Sequence, residues 1–416
     1  MRNTVLCAVI LTLSCSLTFG QEYKVIWSFG GRFGNDGAEP MGTLVSDEQG
    51  NLYGTTRVGG NQDEGSIFEL SPNPDGTWLE TILYSLCYDG VYCFEGADPE
   101  AGLIRDTAGH LFGTARAGGS GEGVAFELLP PSSPGSKWAY RTLHYFCPFR
   151  CSDGSLPVAA LVTDASGNLF GTASSGGDGN GGTVFELSRS QGEWTFQTLY
   201  TFCSVGVFPH CPDGWGPQAG LSFDKDGNLW GTTEAGGSWK DGGGTVFKLA
   251  PSQSDWTENV VYAFPGYQSR NGRYPVAPVK LDAVGNVYGT FTDGNGGVEY
   301  GGVFRLTPRN GGKKQTVSFN LADGAVPWSE VLIDPNERVL YGTTSGLGFW
   351  PSYSGNVFKI DASGNVNVLK NFCEETNCTD GSEPFAGLIR TSSGKIYGTA
   401  RYGGSNNFGV VFEITP

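Results

Sequence analysis

The sequence predicts an all-β fold: a seven-bladed β-propeller with four strands per blade, closed by its own N-terminal strand. Three observations predict it. One short unit recurs seven times, each copy divides into four strand-like runs, and the two ends of the chain carry incomplete copies that complement each other.

The recurring unit is clearest in "GNLYGTTRVGG", Gly50 to Gly60, which returns as "GHLFGTARAGG" from Gly109, "GNLFGTASSGG" from Gly167 and "GNLWGTTEAGG" from Gly227. The glycine of its aromatic-Gly-Thr core stands at 54, 113, 171, 231, 289, 342 and 398, in steps of 53 to 60 residues. Self-similarity at a fixed period is the mark of a repeat architecture. The 66 glycines show no G-X-Y period, and 13% aromatic with 16% charged residues is a composition of short strands and turns rather than of disorder.

Each copy reads the same way. A small-and-aliphatic run follows a proline, as in "PEAGLIRD" at Pro99 or "PVAALVTD" at Pro157. A tight Asp-x-x-Gly-Asn turn, such as Asp164 to Asn168, leads to the second run, "LYGTT". A glycine-rich loop leads to the third: "SIFEL" at Ser66, "TVFEL" at Thr183, "TVFKL" at Thr245. The fourth is aromatic: "WLETILYSLC", "WAYRTLHYFC", "WTFQTLYTFC". These runs are rich in β-formers and alternate apolar with small or polar residues. Four short strands repeated radially make propeller blades; solenoid repeats are shorter and need distinct caps. The chain ends in "GVVFEITP", a third strand with no fourth after it, while "EYKVIWSF", Glu22 to Phe29, is a fourth strand with no blade before it. Pairing the two closes the ring and removes an exposed edge.

Residues 1–20 read as a secretory signal and 21–416 as a single propeller domain. Arg2 precedes a short apolar run, Val5 to Leu13, too short to span a bilayer, and cleavage is expected near Gly20. A lipid anchor at Cys15 is disfavoured by Thr12, where a lipobox prefers an aliphatic residue. The protein is therefore expected to be secreted, periplasmic or at the cell surface, without a membrane span and as a monomer. The other eight cysteines fall in four local couples, expected as disulfides: Cys87 with Cys93, Cys147 with Cys151, Cys203 with Cys211, and Cys373 with Cys378. Their uneven spacings, without paired histidines, argue against a metal site. A formal net charge of -16 argues against nucleic acid or anionic membrane as partner.

The repeating "GNLYGTT…GG…GTVFEL" unit resembles the Gloeo/Verruco (GloVer) tandem repeat of secreted bacterial proteins, over essentially all of residues 21–416. The resemblance implies a secreted or surface repeat protein and does not imply an enzyme activity. Members often bear a C-terminal sorting anchor; this chain stops at Pro416, inside its last strand, so the resemblance provides no anchor here.

Candidate chemistry lies in the loops. An Asp-Gly-x-x-Pro element recurs at Asp36, Asp153, Asp213, Asp323 and Asp380. A ring of such acids is a candidate for Ca²⁺ or sugar hydroxyls, but Asp-Gly is first of all turn chemistry. "DKDGN" at Asp224 has the start of a calcium loop without its distal glutamate and reads as the hairpin turn; no metal or other cofactor is expected, with Ca²⁺ the residual candidate. The residue after Gly-Thr-x varies: Arg57, Arg116, Ser174, Glu234, Thr292, Ser345, Arg401. The arginines occupy copies one, two and seven, which are neighbours in a closed ring and form a candidate anion-binding arc. The residue before the loop proline is acidic in those same copies, Glu39, Asp98 and Glu383, each 18 residues ahead of its arginine. The matching pattern predicts ion pairs within each blade: Glu39 with Arg57, Asp98 with Arg116, Glu383 with Arg401.

His110 takes the Asn place of a turn and His144 lies in a fourth strand, so His210, within the Cys203–Cys211 loop, is the candidate site histidine. Trp215, Trp239, Phe349 and Trp350 are loop aromatics suited to stacking on sugars. No Ser-His-Asp order, HExxH or P-loop occurs, and no catalytic residue is assigned. The expected function is binding of an extracellular glycan through the loop-rich, disulfide-braced face. A polysaccharide lyase or glycoside hydrolase on the same face competes with it, as does a scaffold for surface proteins.

Overall fold

The computed structural model describes residues 21–416 apart from 33–35, 89, 91, 120, 134, 147–151, 238–241, 254, 267–271, 295–299, 308–312, 321, 335, 337 and 347–353. Seven four-stranded antiparallel sheets form the blades. Blade three is representative: Val162–Thr163 innermost, then Leu169–Ala173, Thr183–Ser190 and Glu193–Thr201 outermost. The last blade is composite. Glu22–Ser28 pairs with Val410–Thr415, with Tyr23 opposite Ile414 and Val25 opposite Phe412, so the N-terminal strand closes the ring as its sequence predicts. Among the described residues no helix is long and apolar enough to cross a membrane.

The repeated core has a steric cause. In each blade the core glycine lies directly across from the third-strand phenylalanine, as Gly54 opposite Phe68 and Gly171 opposite Phe185. A Cβ at Gly54 would lie 2.6 Å from the Phe68 ring, and at Gly171 2.5 Å from that of Phe185. The absent side chain is the space the ring occupies; the glycine's backbone freedom plays no part.

The threonine after it ties blade to blade. Thr55 donates to the Ala101 carbonyl at 2.8 Å, Thr114 to Ala159 at 2.9 Å and Thr172 to Ala219 at 2.9 Å, each on the innermost segment of the next blade. Thr232, Thr290 and Thr343 repeat the bond, whereas the buried hydroxyl of Thr399 has no partner among the described residues. Such a buried bond contributes about 1 kcal/mol.

A second tie runs above it. The glycine before each third strand has positive φ and packs against the loop proline of the following blade: Gly65 on Pro99, Gly123 on Pro157, and across the closure Gly409 on Pro40. The apolar clusters likewise straddle blades. Tyr53, Ile67 and Leu83 of blade one pack with Leu111, Val124 and Phe126 of blade two.

Candidate functional site

The loops after each second strand and the loops between blades share one face. They are stitched together by short bridges, Gly37 opposite Gly59, Ala97 opposite Ala117, Ser155 opposite Ser175 and Trp215 opposite Ala235. The disulfides Cys87–Cys93, Cys203–Cys211 and Cys373–Cys378 brace the between-blade loops. Cys147 and Cys151 lie outside the described residues, as do residues 1–20, Trp239, Phe349 and Trp350.

The acids of the Asp-Gly elements accept bonds from their own loops. Asp36 takes the amides of Gly30 and Gly37, Asp213 those of Ser204 and the Tyr200 hydroxyl, and Asp380 those of Glu374 and Glu375. Asp224 is similarly engaged by the Asp226 and Asn228 amides and the Trp230 indole. Among the described residues no group of three or more ligating side chains gathers for a metal.

The residue before the loop proline carries a feature that sequence reasoning missed. All seven have left-handed backbones: Glu39 (φ 57°), Asp98 (52°), Leu156 (57°), Gly216 (70°), Tyr274 (58°), Val326 (55°) and Glu383 (56°). Six are not glycine, and each such residue costs about 1 kcal/mol or more. Two backbone bonds hold each in place. Asp98 donates to Glu64 of the blade before and accepts from Arg116 at 3.1 Å; Glu39 donates to Phe408 and accepts from Arg57 at 3.0 Å. Main-chain bonds thus bring the two residues of each 18-residue pair side by side.

Their side chains follow a different rule. Arg57 meets Glu39 of its own blade at 3.1 Å, but also Asp98 at 3.8 Å and Glu100 at 3.4 Å of the next. Arg401 reaches forward to Glu39, 2.7 Å from Nη2 and 3.1 Å from Nε, rather than to Glu383. Arg401 and Arg57 thus both reach one blade ahead, Arg57 while keeping its own acid, because the pre-proline residue of the next blade is drawn over the end of the preceding one by its amide bond. Burial alone would raise the Glu39 carboxyl's pKa, and the bonds and charge of Arg401, then Arg57, more than offset this and hold it below the usual range. Glu383, at the start of the relay, is pushed up by burial with only Arg401's charge opposing. Arg116, at its end, has no side-chain hydrogen bond or ion pair among the described residues; its main-chain bond to Asp98 stands without the predicted side-chain pair.

Arg57, Arg116 and Arg401 line a cavity of about 1350 Å³ that follows the ring axis. Its wall includes a second seven-fold position, the residue just after the loop proline: Met41, Glu100, Val158, Gln218, Val276, Trp328 and Phe385. No two neighbours are alike, and this variation directly after an invariant proline was the signal available in the sequence. Val276, Trp328, Phe385 and Met41 make one apolar arc; Trp328 and Phe385 stand 6.0 Å apart, and Arg401 lies 5.7 Å over the Phe385 ring. The opposite arc is polar: Glu100, Arg116, Ser174, Gln218 and Glu234. Gln218 donates to Glu234 at 2.6 Å, and burial raises the Glu234 carboxyl's pKa against that bond.

Of the loop aromatics, Trp215 reaches the cavity. It packs at 5.2 Å on Phe208, a 43% exposed ring that also lines the wall. His210 is exposed on the same loop and does not line the cavity. His144 sits under the blade-three loop, 2.9 Å from Asp153 and stacked on Phe196; burial lowers its pKa against the pull of Asp153. His110 occupies its turn, its amide on Asp106.

The sequence profile of the Gloeobacter/Verrucomicrobia repeat matches three overlapping stretches, residues 9–211, 142–346 and 242–416. The chain belongs to that repeat family. No curated protein matches it. Several solved structures are similar to this Gloeobacter/Verrucomicrobia repeat protein. A Bacteroides uniformis protein with the provisional name 6-phosphogluconolactonase is 16% identical over 78% of this chain and 83% of its own, with a TM-score of 0.48. A Dyadobacter fermentans protein of unknown function is 13% identical over 95% and 99%, at 0.45. A luciferin-regenerating enzyme is 12% identical over 95% and 96%, at 0.45.

Proposed function

We propose that this repeat protein binds an extracellular carbohydrate at the mouth of its central channel. The observation that carries the reading is the two-sided wall. Trp328 and Phe385, with Trp215 and Phe208 on the rim, offer ring faces, while Glu100, Gln218, Ser174 and Glu234 offer hydrogen-bonding groups across the same cavity. A sugar ring has an apolar face and a rim of hydroxyls, and concave sites that combine aromatics with a few placed polar groups suit it. The three disulfides support an oxidising compartment, and the signal-like residues 1–20 support export to it.

A glycan array probed with residues 21–416, with and without Ca²⁺, tests this. Hits should weaken about tenfold or more in Trp328→Ala and Trp215→Ala, as for aromatic anchors elsewhere. An empty array, or hits untouched by both substitutions, would refute binding at the mouth. A lyase or hydrolase reading draws on one observation, the raised Glu234 carboxyl in the same cavity as Glu100. Release of reducing or unsaturated ends from an array hit, lost in Glu234→Gln, would establish it; an intact hit would dismiss it.

A further inference from the structure

We infer that Arg116 docks a ligand carboxylate, and that the saccharide taken by this channel is an acidic one. The inference rests on the carbohydrate reading above and specifies its chemistry.

The relay explains why this one arginine is available. Arg401 leans to the acid of the following blade, Glu39 at 2.7 Å, and Arg57, bonded to Glu39 of its own blade at 3.1 Å, also reaches forward to Glu100 at 3.4 Å and Asp98 at 3.8 Å. Blade three breaks the series. It places Leu156 where the next acid would stand, Ser174 in the arginine place, and Val158 after the proline. Ser174 turns its hydroxyl to the Leu156 carbonyl at 3.0 Å, so neither the pre-proline position nor the arginine position of blade three offers Arg116 an anion. Arg116 is nonetheless part-buried in the cavity wall.

A guanidinium held in a concave wall without a counter-ion among the described residues has lost part of its hydration with no side-chain partner among them to replace it. Its planar fork matches a carboxylate in two-point geometry. Beyond blade three the wall continues into Trp215 and Phe208, and into the Gln218–Glu234 pair, whose other carboxylate oxygen remains an acceptor for a hydroxyl. A sugar stacked on the rim aromatics would thus have its carboxylate toward Arg116 and its hydroxyls toward blade four. Glu100 and Glu234 in the same cavity, on a chain of net charge -16, favour a singly charged carboxylate over a doubly charged phosphate.

The test compares matched pairs on residues 21–416: oligomers of galacturonate, glucuronate and mannuronate against their methyl esters, sialyllactose against lactose, and phosphorylated sugars as a further arm. At least one acid form should bind about tenfold or more tightly than its neutral match, the scale of a charge-assisted hydrogen bond. In Arg116→Gln that ratio should fall to near one, in Arg116→Lys to an intermediate value, with thermal unfolding unchanged in both. No acid preference in the natural protein, a preference surviving Arg116→Gln, or a stronger preference for the phosphorylated sugars would overturn the inference. If neutral glycans bind in a Trp328-dependent way while acids gain nothing, only this inference fails. If no glycan of either kind binds, the carbohydrate reading fails with it.

Discussion

The core glycine and the residue after the loop proline are both seven-fold positions, and they behave in opposite ways. The glycine is invariant because every copy packs a phenylalanine ring into the same space. The post-proline residue faces an open channel, where no neighbour common to all seven copies fills the space, so they hold Met, Glu, Val, Gln, Val, Trp and Phe. Repetition in this chain marks packing, and variation at a channel-facing position marks what the ring presents to a ligand.

Variation alone is not enough, as a third position shows. The fourth-strand residue across from the last buried apolar residue of the third strand is Tyr23, Glu80, Tyr140, Phe196, Glu258, Lys314 or Val366. It varies as widely, yet it lies under the between-blade loop: the Tyr23 hydroxyl donates to the Asp380 carbonyl and that of Tyr140 to the Glu95 carbonyl. In these blades it fits the blade to its own loop.

The comparison can be broken most severely at the core. Gly171→Ala forces a Cβ 2.5 Å from the Phe185 ring and should destabilise by about 1–3 kcal/mol, as overpacking does. Equilibrium denaturation would show it, and a neutral result would remove the steric account of the repeat.

The loop-fitting position should show in pH dependence. Burial, then the charge and bond of Asp36, push the Glu80 carboxyl from 4.5 up to about 9. The folded state then keeps a proton that the unfolded state releases, so stability falls as pH rises from about 4.5 toward 9. Glu80→Gln should flatten that part of the profile, read as denaturation midpoints at pH 5 and 8.5. An unchanged slope would mean that Glu80 ionises normally.

The relay comes next in size. Glu39→Gln removes the negative charge shared by Arg57 and Arg401 and should cost about 1 kcal/mol at neutral pH, part-exposed pairs being weak. Because Glu39's pKa is lowered in the folded state, its contribution is present above the unfolded value of 4.5 and is lost as pH falls through the lower folded value. The difference between the natural protein and the variant should therefore close in acid. The smallest effect is expected in the channel itself. Val158→Thr should change stability by no more than about 0.5 kcal/mol, as at positions without a packing partner to lose. A large loss would show that the channel ring is structural after all.

The sequence by itself determined the ring: seven copies, four strands in each, the closing role of Glu22–Ser28, and three of the local disulfides. Those features repeat or lie near in sequence, so one copy interprets another. It also brought Arg57, Arg116 and Arg401 to attention with Glu39, Asp98 and Glu383, since a shared 18-residue spacing is visible without coordinates. Only the tertiary structure decided which acid each arginine meets. That depends on the stagger between blades, which no single copy encodes, and the stagger moves Arg401 onto Glu39 and leaves Arg116 at the end of the series. The left-handed pre-proline backbone was equally hidden, because bonds from two different blades hold it and leucine, tyrosine or valine gives no sign of it. The channel-facing residues became legible only once the ring was closed, since facing an axis is a property of seven copies together.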